Sequence, residues 1–100
     1  MRKIALKTFD EPVGGMEGYL EILKLVVNTP LNSQRGFDPD DMRMTIRILD
    51  KLDEAKGEIV FEDEEWRAVK TKVLQYPFAI AHRELVGLID AVNDAPSEKK

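Results

Sequence analysis

Asp38-Pro39-Asp40-Asp41, followed by apolar residues at helical spacing as far as Ala55 and then by Gly57, is the stretch that most constrains the fold. Asp38 suits an N-cap, because its carboxylate can accept from the unpaired backbone N–H groups of a first turn. Pro39 then falls at the first helical position, where its missing N–H costs nothing. Asp40 and Asp41 set negative charge at the positive end of the helix dipole. Met42, Ile46 and Leu49 form one apolar stripe, and Met44, Ile48, Leu52 and Ala55 form the adjacent one. A face that broad predicts contact with two partners. Gly57 marks the stop.

The other elements are read against this helix. Arg2 to Phe9 alternates, with Ile4, Leu6 and Thr8 on one face, and predicts a half-buried strand. Pro12, Gly14 and Gly15 predict a turn. Val26, Val27 and the alternation near Lys24 would suit a strand, but Met16, Leu20, Leu23 and Val27 share helical spacing and the length favours a helix from Met16 to Asn28, stopped by Asn28-Thr29-Pro30. Leu31 to Gly36 reads as a polar loop carrying Arg35. Glu58 to Phe61 reads as a short strand, whose natural partner is the first strand. The pairing direction is not legible. Glu62 to Glu65 open a helix with Trp66, Val69, Val73 and Tyr76 on one stripe, ended by Pro77. Phe78 and Ile80 form an apolar connector. A last helix runs from about His82 to Asn93, with Leu85, Leu88, Ile89 and Val92 as its buried stripe. The expected class is α+β and mostly helical, with four helices and a small two-stranded sheet. One globular domain is expected over residues 1–93, and residues 94–100 read as a frayed, disordered C-terminal tail.

Composition excludes some chemistry. The chain has no cysteine, which removes disulfides, thiolate metal sites and thiol nucleophiles and fits a reducing compartment. Its formal charge is −4, a balance that argues against broad binding to nucleic acid or to an anionic membrane. No apolar run approaches the length of a membrane span. Lys7 and Asp10 interrupt the N-terminal region too early for an export signal, so a cytoplasmic location is expected.

Several groupings resemble sites and have simpler explanations. Glu62, Asp63, Glu64 and Glu65 could offer oxygens to a hard metal, but consecutive helical residues point in different directions, and a helix start accounts for all four. Asp38, Asp40 and Asp41 resemble the opening of a calcium loop. The glycine and glutamate such a loop needs are replaced by Arg43 and Leu49. His82 is the only histidine, with no marked nucleophile near it, and a structural or surface role is expected. Gly14-Gly15 lacks the ending of a phosphate loop. Trp66 and Tyr19 sit on periodic stripes and are expected in the core. No cofactor, metal or catalytic residue is assigned.

The candidate partner-binding residues are Arg43, Arg47 and Lys51, with Met42 and Met44. Steps of four place the three cations in one row on the organising helix. A solvated face with local pairs (Asp40 with Arg43, Asp50 with Arg47) is one account of the row. A binding surface for an acidic protein or a nucleic-acid backbone is the other. The two methionines are adaptable at contacts.

The run Asp40-Asp41-Met42-Arg43 leading into Thr45-Ile46-Arg47-Ile48-Leu49-Asp50-Lys51-Leu52, followed by Glu62-Asp63-Glu64-Glu65-Trp66, resembles small proteins encoded among the structural genes of tailed phages and prophages. The resemblance covers about half the chain and carries no chemical motif. It implies a part in virion assembly or particle structure, and adhesion to other copies or to larger partners. A non-enzymatic protein–protein interaction module is therefore expected, with self-association through an open sheet edge. The alternative is a small regulatory or nucleic-acid-associated protein using the basic row. Against it, no basic recognition helix following a turn is evident.

Overall fold

The computed structural model describes residues 1–30, 36–78 and 80–96. Eight elements follow in the order β1 (Arg2–Ala5), β2 (Thr8–Val13), β3 (Met16–Gly18), α1 (Tyr19–Val27), α2 (Pro39–Glu54), β4 (Glu58–Phe61), α3 (Asp63–Gln75) and α4 (Arg83–Asn93). The class is α+β, with helices in the majority. Of the expected polar loop, residues 31–35, with Arg35 among them, lie outside the described residues, as do residues 97–100 of the expected tail.

The expected first strand is two strands. The chain changes partner at Leu6–Lys7. β1 pairs antiparallel with β4, with Ile4 opposite Ile59 and Arg2 opposite Phe61. β2 pairs antiparallel with β3 in a second two-stranded sheet, from Thr8–Gly18 to Val13–Met16. That hairpin explains why the first helix starts three residues later than its periodicity predicts. Gly14 and Gly15, with φ of 58° and 83°, turn the chain back so tightly that Met16 to Gly18 are drawn into a ladder. Pro12 is accommodated inside β2, and in a sheet of two strands every strand is an edge, where proline's missing N–H need not break a ladder. Helix α1 then begins under the backbone bond from the Tyr19 N–H to the Lys7 carbonyl, 2.9 Å.

Helix α2 starts as the sequence requires, with Asp38 Oδ1 accepting from the Asp41 N–H at 2.8 Å and Pro39 inside the first turn. It packs on α1 and on α3. Its two apolar stripes part company. Ile48 and Leu52 are buried with Thr45. Met42 and Ile46 are 47% and 53% exposed. Helix α2 ends at Glu54, and Gly57 takes its left-handed φ of 72° in the turn between Lys56 and Glu58 instead of capping the helix.

One core joins the elements: Ile4 from β1, Ile59 and Phe61 from β4, Leu23, Val26 and Val27 from α1, Val69 and Val73 from α3, and Leu88 and Val92 from α4. Trp66 and Tyr19 lie in it, as their stripes predict. The Trp66 indole N–H donates to the Val92 carbonyl at 2.8 Å, and the Arg2 guanidinium stacks 4.1 Å above the Trp66 ring. Arg2 also donates to the carbonyl of Ala95, which is buried, so packing continues past the end of α4 into the stretch expected to fray.

Candidate functional site

The basic row is split by the fold. Arg43 faces outward, its side chain 78% exposed, and its pair with Asp40 at 3.4 Å matches the expected local contact. Arg47 turns to Glu65 rather than to Asp50. Its Nε donates to Glu65 Oε2 at 2.8 Å, and Lys51 Nζ donates to Oε1 at 2.5 Å. The Glu62 N–H gives Oε1 a second donor, and the carboxylate a third, at 2.8 Å. Glu65 is fully buried. Burial pushes its carboxyl pKa up, but the Lys51 hydrogen bond, the Glu62 N–H and the charges of Lys51 and Arg47 outweigh that and hold it below the usual glutamate value. Two of the three candidate cations thus hold α2 onto the start of α3.

A second buried charge lies two turns further along α3. Lys72, 3% exposed in its side chain, donates to the Val27 carbonyl and to Thr45 Oγ1, both at 2.9 Å, and pairs with Asp41 Oδ1 at 3.0 Å. Those three acceptors match the three protons of its ammonium. Helical periodicity marks neither Glu65 nor Lys72 as special. The available signal is their position: Glu65 precedes Trp66, and Lys72 precedes Val73, on the edge of the stripe α3 buries.

The remaining candidates have structural roles. His82 caps α4, its Nδ1 accepting from the Glu84 N–H at 3.1 Å, and it borders a polar hollow with Lys7, Asp10, Glu11 and Glu84. Among the described residues no three metal-ligating side chains converge. Gly14 and Gly15 form the hairpin turn.

An apolar trough lies between α1 and the α3–α4 connector. One wall is Ile22 and Leu25 of α1. The opposite wall is Tyr76, Phe78 and Ile80 of the α3–α4 connector, and the hairpin closes one end with Val13 and Met16, leaving a space of about 160 Å³. Tyr76 also lines an adjoining space of about 270 Å³ that runs toward Thr29, Pro30 and Pro77. Leu25 and Ile80 stand 45% and 47% exposed on the lips. Glu21 lies one turn before Leu25, and its Oε2 accepts from the Glu17 N–H at 3.1 Å. Sequence reasoning missed the trough because the hairpin that closes it was not foreseen.

Met44 is half-buried beside Arg47, whereas Met42 and Ile46 form an open apolar stripe flanked by Arg43. No family model matches this chain, and neither a curated protein nor a solved structure matches it. Among the described residues, no helix is long and apolar enough to cross a membrane.

Proposed function

We propose that this chain is a non-enzymatic protein–protein interaction module, an assembly or structural component of the kind its resemblance to tailed-phage and prophage proteins implies. The observation that carries the reading is the open apolar surface. Leu25 and Ile80 line a trough, and Met42 and Ile46 line a helix stripe, each about half exposed. Solitary exposed apolar side chains are ordinary, but paired ones on the lips of a groove and along one helix stripe fit contact surfaces. The alternative use of the basic row, on a nucleic-acid backbone, is weakened because Arg47 and Lys51 already share the Glu65 carboxylate. Only Arg43 keeps its charge open to an external partner.

Solution mass by size-exclusion chromatography with light scattering, over a wide concentration series, tests the self-associating form of this reading. A mass above that of the 11.4 kDa chain, fixed or rising with concentration, is the expected result. A monomer throughout refutes self-association.

A further inference from the structure

We infer that the start of α4 is a proton-sensitive switch, capped while the His82 imidazole is neutral and uncapped once it is protonated. Nδ1 of His82 accepts from the Glu84 N–H at 3.1 Å. A ring nitrogen that accepts carries no proton, so this bond selects the neutral ring with its proton on Nε2. Protonation turns Nδ1 into a donor. It then confronts the Glu84 N–H donor to donor, and it sets a cation at the positive end of α4. The ring has room to turn away. His82 is exposed and shares a hollow of about 440 Å³ with Asp10 and Glu11 of β2.

The charges around the ring set the pH at which the cap opens, not whether it opens. Asp10 and Glu11 from β2 and Glu84 from α4 favour the imidazolium, whereas Lys7, between β1 and β2, and Arg83 of α4 oppose it. Lys7 and Glu84 are themselves paired at 3.2 Å and largely offset each other. Tyr19 of α1 lies in the field of the same pair, but burial holds its phenol pKa above the ordinary value, so it stays neutral. Of these groups the imidazole is the one whose kind changes charge between pH 8.5 and 5.5. The switch also reaches the trough. Tyr76, Phe78 and Ile80 of its wall precede His82 in the connector, and Leu85, in the first turn of α4, lines it as well. Loss of the cap frees the end of that wall, whatever the trough holds.

Nuclear magnetic resonance of the full chain between pH 8.5 and 5.5 tests this, on the wild type and on His82→Asn, whose side-chain oxygen caps a helix throughout that range. In the wild type at pH 8.5 the ring nitrogen shifts are expected to show Nδ1 bare and the proton on Nε2. As the ring titrates, protection of the Glu84 amide from solvent exchange, taken relative to an unstructured amide at the same pH, is expected to fall roughly fivefold, the order that loss of a cap implies. The Ile80 and Leu85 methyl signals should move with the same midpoint. In His82→Asn the protection and both methyl signals should hold constant. His82→Ser is the second non-titrating cap should His82→Asn fail to fold. A bare Nε2 at pH 8.5, or Glu84 protection that survives titration of the ring, overturns the switch. Loss of protection that persists in the non-titrating variant overturns it as well, because another group then drives the change. Ile80 and Leu85 signals that stay fixed while the cap opens overturn the link to the trough.

Discussion

Truncating the two cations around Glu65 singly and together is expected to give strongly non-additive losses. The Arg47 and Lys51 side chains are 51% and 36% exposed, whereas the Glu65 carboxylate is fully buried. Either cation alone can still satisfy the carboxylate with help from the Glu62 N–H, so Arg47→Ala or Lys51→Ala is expected to cost about 0.5–1 kcal/mol, in the range of exposed pairs. Removing both leaves a buried carboxylate with a single amide donor. Breaking a buried pair costs about 3–5 kcal/mol, and some water reaching the vacated sites puts the double variant near 3 kcal/mol. The double loss should therefore exceed the sum of the singles by about 1 kcal/mol or more. Urea denaturation of the four proteins at pH 7 measures the cycle.

The pH dependence gives a second readout. In the wild type the Glu65 pKa lies below its ordinary value, so its contribution is present above that value and is lost as pH falls through the folded pKa. Without the two cations burial dominates and raises the pKa. The deficit of the double variant should then shrink on acidification toward pH 4. Additivity within about 0.3 kcal/mol, or a deficit unchanged by acid, would refute the reasoning.

Lys72→Met is expected to destabilise the fold by about 2–4 kcal/mol, because Asp41 loses its buried cation and the Val27 carbonyl and Thr45 hydroxyl lose a donor; a neutral or stabilising result in the same denaturation assay would show that the site tolerates an apolar chain. Gly87→Ala should gain about 1 kcal/mol by helix propensity alone. A Cβ there would lie 2.9 Å from the Tyr19 hydroxyl, and the Tyr19 ring is buried in a T-shaped pair with Phe9, so a net loss of about 1–2 kcal/mol is expected instead. Adding Tyr19→Phe should recover part of that loss, and no recovery in thermal melts would mean that the hydroxyl is not the obstacle.

The helices were legible because their ends carry local chemistry. Asp38-Pro39 names the start of α2 whatever surrounds it, and the stripe from Trp66 to Val73 is the one α3 buries. The β1–β4 pairing was legible as a pairing, since two short strands in one small chain need each other's ladder groups. Its antiparallel sense was not, because the intervening chain is long enough to permit either. The hairpin was lost at Leu6–Lys7. Alternation runs unbroken from Arg2 to Phe9, and only the change of ladder partner divides it. On α2 the two stripes are equally apolar, and what separates them is the placement of α3, which depends on Glu65 and Lys72. The cation row was visible from its spacing, but its carboxylate stands far along the chain on another helix, where no local rule reaches it.

Glu65 and Lys72 together give the α2–α3 contact a polarity. The start of α3 carries a buried anion that meets the cations in the second half of α2, and the end of α3 carries a buried cation that meets Asp41 in the first turn of α2. If the two helices were laid parallel, Glu65 would confront Asp41, and Lys72 would confront Arg47 and Lys51. Sliding α3 along α2 by one turn would take Lys72 away from Asp41, even though the cation row would still offer Glu65 a partner. Apolar packing alone distinguishes such arrangements weakly, since Ile48 and Leu52 would find hydrophobic neighbours in several of them. The two charges act as a keyed plug that fits one way round, and their desolvation cost is the penalty the reversed packing incurs without compensation.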